Sequence, residues 1–134
     1  KTTERSLTPI PVPQLPKIEF ISSGYAHTMC VDEKGSLWTF GSNHNGQLGI
    51  GKGNKKSAAK EISQFDKAVA LSRGGKVSFI RTADDIVYTF GNNKHGQLGQ
   101  GDTEERFLPT ECASAFSQFL PRSMCKCIAK SARK

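Results

Sequence analysis

The sequence predicts an all-β protein in which copies of one unit stack against each other, and three observations carry that reading. Residues 39–51 recur 50 residues later as 89–101, with nine of thirteen positions identical and no gap. A unit of this size cannot bury its own apolar face, so its repeats share a core. Ahead of each copy lie short runs rich in β-branched, aromatic and other apolar residues, bounded by Gly and Asp. Within each copy Gly stands at 41/91, 46/96, 49/99 and 51/101. Glycine at four fixed offsets marks tight turns or close backbone approach.

Taken in chain order, residues 1–17 form a proline-rich linker or arm, since Pro9, Pro11, Pro13 and Pro16 remove backbone donors and favour extended chain. A proline-recognition motif is the sharper alternative, but residues 11–16 lack a flanking basic cluster. Residues 18–67 make the first repeat. A strand is expected over 18–22, a break at Gly24 and a second strand over 27–31. Asp32, Glu33, Lys34 and Gly35 then make a hairpin loop in which Gly35 takes the positive-φ position. The third strand, 36–40, places Trp38 and Phe40 on one face and Leu37 on the other. Apolar groups on both faces suit a sheet covered on both sides by neighbouring sheets.

Residues 68–111 repeat the plan, with strands over 77–81 and 86–90, Tyr88 standing for Trp38 and Val87 for Leu37. Asp85 stands where Gly35 stood, so this hairpin must either strain a non-glycine residue or adopt another turn. In the glycine-dense loops, Leu48 and Leu98 are expected to plug the gap between sheets, and Gln47 and Gln97 to donate to the loop's own carbonyls. Residues 112–134 read as a connection, helical or irregular over 113–119, and then the truncated start of a third repeat, because 127–133 has the texture of 69–73. At a period of 50, the 134 residues hold roughly two and a half units. The chain opens on Lys1, carries no signal-peptide pattern, and reads as a piece of something longer.

The net charge of +7 invites a nucleic-acid reading, and its distribution argues against one. Residues 17–111 hold twelve Lys and Arg against eleven Asp and Glu, whereas 112–134 hold five basic residues and no acidic one. Within the repeats only Lys52, Lys55, Lys56 and Lys60 cluster, a solvated loop rather than a DNA-binding face. Chromatin binding through the tail from Arg122 to Lys134 is the competing possibility. No apolar run approaches the roughly 18 residues of a membrane span. The cysteines, Cys30, Cys112, Cys125 and Cys127, show no C-x-x-C spacing and no metal-site pattern with His27, His44 or His95. No metal and no cofactor is expected, and the free thiols suit a reducing, intracellular compartment, cytoplasmic or nuclear. A phosphate-binding P-loop would need a Lys-Ser/Thr ending that neither glycine loop has.

The residues from Gly24 to Thr28, Asp32 to Gly35, Leu37 to Asn43 and Gly46 to Gly51 together resemble the repeat of the regulator of chromosome condensation family. The second copy is similar, with a degenerate start and a better close in Gly101, Asp102, Arg106 and Pro109; the first departs there, with Lys52, Lys55 and Lys56 in place of the acidic turn. Kelch repeats would show a Gly-Gly doublet in both copies and WD repeats a Trp-Asp ending, and neither pattern is present. The resemblance implies a β-propeller, usually of seven blades, each a four-stranded antiparallel sheet. This chain would supply a partial propeller: about two blades and the start of a third, with the rest of the propeller or a second copy needed for closure.

Members of this family act mostly by presenting a propeller face to protein partners, and the founding member exchanges nucleotide on a Ran-like small GTPase while bound to chromatin. The first function expected here is therefore a protein-interaction module inside a larger protein. The candidate partner-binding residues flank the fixed glycines: Asn43, His44 and Asn45, with Lys55 and Lys56, in the first copy, and Asn92, Lys94 and His95 in the second. The alternative, guanine-nucleotide exchange on a small GTPase, rests on the resemblance. A constant offset of 50 leaves no room for the wedge-like insertion exchange uses, so no exchange residue carries over. No catalytic residues are expected: no Ser or Cys lies in a nucleophile elbow, and Asp84-Asp85 sits in a turn.

Overall fold

The computed structural model describes residues 6–65 and 67–112, and only the backbone of 70, 72 and 73. The short helix or connection expected over 113–119, the third-repeat start, the basic tail, and Cys125 and Cys127 lie outside the described residues. Eight strands form two antiparallel four-stranded meanders, each in sequence order. The first comprises β1 (Ile18–Ser23), β2 (His27–Asp32), β3 (Leu37–Ser42) and β4 (Lys56–Ile62). The second comprises β5 (Ala68–Arg73), β6 (Val77–Thr82), β7 (Val87–Gly91) and β8 (Arg106–Glu111). Irregularities in pairing recur at matching places, Ile18/Phe20 with Ala68/Ala70 and Thr39/Gly41 with Thr89/Gly91. The repeat is thus one of backbone geometry as well as of sequence.

The two β2–β3-type hairpins take the same turn by different chemistry. Gly35 has φ 86° and its N–H donates to Asp32 O at 3.0 Å. Asp85 has φ 67° and makes the equivalent bond to Thr82 O at 3.0 Å. The second hairpin therefore keeps the geometry and holds a non-glycine residue in the left-handed region, with Arg81 gripping the Asp85 carboxylate. In the first hairpin Asp32 does the fixing: its Oδ1 accepts the N–H groups of Lys34 and Ser36, each at 2.9 Å, and its Oδ2 accepts Trp38 Nε1–H at 3.0 Å.

The core lies between the sheets. Alternation puts Met29 and Val31 on the face of β2 that also carries His27, and pairing sets Thr39 and Leu37 opposite them on β3. These meet Ile80 and Phe90 of the second sheet, and Ile62 at the end of β4, Phe65 in the connection and Ala68 at the start of β5 close the cluster. Trp38 and Phe40 lie on the far face of the first sheet, as the strand period requires. Main-chain bonds stitch the sheets at both ends: Tyr25 N–H to Gly75 O at 3.1 Å and Gly51 N–H to Phe107 O at 2.8 Å at one, Ala68 N–H to Gly35 O at 2.9 Å at the other.

Candidate partner-binding face

Antiparallel pairing sets Ser42 beside Lys56, His27 beside Gly41 and Val77 beside Gly91, so the β1–β2 and β5–β6 turns and both glycine-dense loops gather at one end of the two sheets. Each loop, 43–55 and 92–105, is built around a buried asparagine. Asn43 Oδ1 accepts Leu48 N–H at 3.1 Å while its Nδ2 donates to the carbonyls of Gly51 and Asn54 at 3.1 and 3.0 Å. Asn93 does the same work, accepting Leu98 N–H at 3.0 Å and donating to the carbonyl and carboxylate of Asp102, each at 3.0 Å. Thr39 and Thr89 donate to the carbonyls of Leu48 and Leu98 at 3.0 and 3.1 Å, and both leucines are fully buried.

Glycine enters where nothing else fits. A Cβ on Gly41, at φ 109°, would lie 2.6 Å from Ala26 O and 2.9 Å from His27 Cα. Gly91, at φ 111°, is pressed on Lys76 O in the same way. The glutamines act differently from expectation. Gln47 and Gln97 each accept a backbone N–H, from Asn45 at 2.9 Å and His95 at 2.8 Å, and donate to side-chain oxygens of Ser42 and Asn92 rather than to carbonyls. Accepting through Oε1 leaves the amide nitrogen facing the β3 or β7 end, where a side chain meets it.

The sequence-derived candidates divide into enclosed and open groups. Asn43 is 2% exposed and its amide is fully engaged inside its loop. Asn45 donates from Nδ2 to Glu105 Oε1 at 2.7 Å, a bond between the first and second sheets. Asn92 is half-buried, its Oδ1 accepting Lys94 N–H at 3.0 Å. His44, Lys55, Lys56, Lys94 and His95 are exposed at the loop end. Two groups on this face escaped the sequence reading. Tyr25, 86% exposed, tips the β1–β2 turn, and Lys76 stands on the neighbouring turn. Their signal was their place opposite Gly75 and Ala26 in the other copy, where the repeats disagree.

Charge at this end is unevenly committed. Asp102 pairs with Arg106 at 2.6 Å; that guanidinium, followed by the Glu104 N–H, holds its carboxyl below the usual carboxylate range. Lys52, which occupies the position of Asp102 in the first copy, instead lies over the Phe107 ring at 5.4 Å and joins the two sheets. Burial pushes the thiols of Cys30 and Cys112 up, so both behave as small core groups.

Two four-stranded meanders stacked face to face, with their β3–β4-type loops presented at one end, define a pair of β-propeller blades. A structure of Prp20p from Saccharomyces cerevisiae superposes with a TM-score of 0.72 at 18% identity, over 81% of this chain and 28% of that one. The regulator of chromosome condensation (RCC1) repeat model matches residues 34–80 and 84–127, and a second model of the same description matches 18–47. The chain belongs to this family. Among curated relatives, Nek9, a serine/threonine-protein kinase of Xenopus laevis, is 36% identical over 75 residues, 54% of this chain and 8% of the kinase. The human regulator of chromosome condensation is 33% identical over 91 residues, 67% of this chain and 22% of that protein. The chain therefore spans less than a quarter of the length of either curated relative. Among the described residues no helix is long and apolar enough to cross a membrane.

Proposed function

We propose that the chain is a protein-interaction module, part of a propeller that binds partners through the end where its β3–β4 and β7–β8 loops project. One observation supports this above others: of the exposed side chains that differ between the two copies, His44, Lys55, Lys94 and His95 project from loops braced by their buried asparagines, and Lys56 opens the strand that follows the first loop. A rigid scaffold with altered loop chemistry is how one fold serves different partners. Kinase activity in the Nek9 relative is a property of that whole protein; the repeats described here contribute binding. A cytoplasmic or nuclear location fits this role.

Affinity capture with the wild-type chain and with a variant carrying His44→Ala, Lys55→Glu, Lys56→Glu and Lys94→Ala tests the reading. Partners retained by the wild type are expected to be lost by the variant. Retention of every partner overturns it.

A small GTPase is the second partner class, favoured by similarity to the human regulator of chromosome condensation; the yeast Prp20p structure was solved together with its binding properties to Gsp1p and histones. Labelled-nucleotide release from a panel of GTPases, with this chain in its parent protein, tests exchange. A flat trace across the panel removes it.

A further inference from the structure

We infer that the loop end of the two blades takes an acidic protein segment, seated on a field of unpaired lysines beside Tyr25. The inference rests on the interaction-module reading and names the chemistry of its partner.

Five lysines, Lys52, Lys55, Lys56, Lys76 and Lys94, are exposed at this end, and among the described residues none makes an ion pair. The carboxylates that share the end are mostly committed to the fold. Asp102 is held by Arg106 and by Asn93, and Glu105 accepts from Asn45. At the opposite end the balance differs: Lys17 pairs with Glu33 at 3.6 Å and Arg81 with Asp85. The two copies together thus leave uncompensated positive charge on one face, and a like-signed surface raises the local concentration of an oppositely charged partner.

Backbone order strengthens the effect. Asn43 N–H donates to Lys55 O at 2.8 Å, so the lysine-bearing segment is pinned to the buried asparagine. Tyr25 N–H to Gly75 O fastens the turn that carries Tyr25 to the turn that carries Lys76. A partner therefore meets lysines on an ordered backbone and one large amphipathic side chain, and loses less entropy than it would on mobile loops. Tyrosine in such a setting supplies contact area at low entropy cost.

A protein segment fits this face better than a nucleic acid does. Arg106, the arginine whose fork would suit a phosphate, is already closed on Asp102 and the Glu104 carbonyl. Exposed Glu104 and Asp102 share this end with the lysines, and an unbroken phosphodiester backbone laid across it would meet their charge. An acidic segment can place its carboxylates one by one and leave those positions uncontacted.

The test is fluorescence anisotropy of the full chain against a labelled poly-glutamate peptide carrying one leucine, with a labelled DNA duplex in a parallel arm. Binding of the peptide is expected to weaken about tenfold in Lys55→Glu/Lys56→Glu/Lys94→Glu and to change by less than about twofold in Lys17→Glu/Lys34→Glu/Lys67→Glu, which carries the same net-charge change at the other end. Tyr25→Ala is expected to weaken it without altering its salt dependence. Equal losses in both triple variants overturn the proposal, because net charge alone then explains binding. Tighter binding of the duplex through the same lysines overturns it in favour of nucleic acid. No peptide binding, while affinity capture still loses partners in the loop variant, overturns the acidic partner and leaves the interaction module standing; failure of both removes the module reading itself.

Discussion

His27 Nε2 lies 3.0 Å from Ser78 Oγ, and this buried bond ties the first blade to the second. Ser78 also reaches back: its hydroxyl donates to Gln47 O at 2.7 Å. With its one hydrogen directed to Gln47, the hydroxyl accepts from His27, so Nε2 carries the imidazole proton in this pair. Gly24 makes room for the ring, since a Cβ there would lie 2.5 Å from His27 Nδ1.

Removing His27 deletes the bond between the blades, while the Ser78 hydroxyl keeps Gln47 O. His27→Ala is expected to destabilise the chain by about 1–3 kcal/mol, through the lost buried bond and the space the ring vacates. Urea denaturation of His27→Ala, Ser78→Ala and the double variant closes a cycle whose coupling is expected near 1 kcal/mol. Additive losses would show that the two side chains do not communicate. In the second copy Val77 stands where His27 stands in the first, so this blade does not present the same polar group on its outgoing face.

The left-handed residue of the second hairpin supplies a sharper measurement. Asp85 holds φ 67°, a region that disfavours most L residues by about 1–2 kcal/mol. Asp85→Gly and Asp85→Ala both delete the exposed pair with Arg81, so their difference isolates the backbone. Asp85→Gly is expected to be the more stable of the two by about 1 kcal/mol in chemical denaturation. Equal stabilities would mean the hairpin adopts another turn once the carboxylate is gone.

How far the chain was legible depends on which physical signal each element carries. Strands β2, β3, β6 and β7 announce themselves through short runs rich in β-branched, aromatic and other apolar residues, and Asp32 to Gly35 through turn chemistry. Strand β4 does not. Its residues Lys56, Ala58, Ala59, Lys60 and Glu61 favour helix or loop, and it is strand only because β3 offers hydrogen bonds at the outer edge. Strand β8 contains Pro109, tolerated because the strand lies at the edge and Pro109 has no partner in the ladder. At the loop end, Asn43 and His44 look alike in sequence as polar loop residues; one is enclosed and one is open. The signal that separates them is repetition: Asn43 recurs as Asn93 and is scaffold, whereas His44 becomes Lys94 and is free to vary. Gln47 and Gln97 show the limit of that rule. They are identical, yet Gln47 is 2% exposed beneath the second blade and Gln97 is exposed, because burial depends on a neighbour that sequence identity does not report.

Asn43 therefore predicts a loss of fold rather than of binding. Asn43→Ala leaves Leu48 N–H and two loop carbonyls without their partner and is expected to destabilise the chain by about 2–3 kcal/mol. His44→Ala, one residue on and exposed, is expected to change stability by less than about 0.5 kcal/mol. Thermal or urea unfolding of the two variants compares them directly, and a loss below about 0.5 kcal/mol in Asn43→Ala as well would return Asn43 to the set of surface candidates.

Asp32 and Asp102 set the acid limit. For Asp32 burial alone pushes the carboxyl up, but bonds from Trp38 and from the Ser36 and Lys34 N–H groups outweigh it and hold the group below its ordinary value. Asp102 is held down first by Arg106 and then by Glu104 N–H. A carboxyl with a depressed folded pKa binds its proton more tightly in the unfolded chain, so protonation favours unfolding. Its stabilisation is complete above the ordinary carboxylate range, near about 4, and is lost as pH falls through the folded value. The urea midpoint is therefore expected to fall between about pH 6 and about pH 3, and Asp32→Asn/Asp102→Asn to flatten that dependence while lowering stability at neutral pH. Arg106→Gln in place of Asp102→Asn separates the two sites: it removes the guanidinium and leaves the Asp32 network intact. An unchanged slope in both variants would assign the acid sensitivity to other carboxylates.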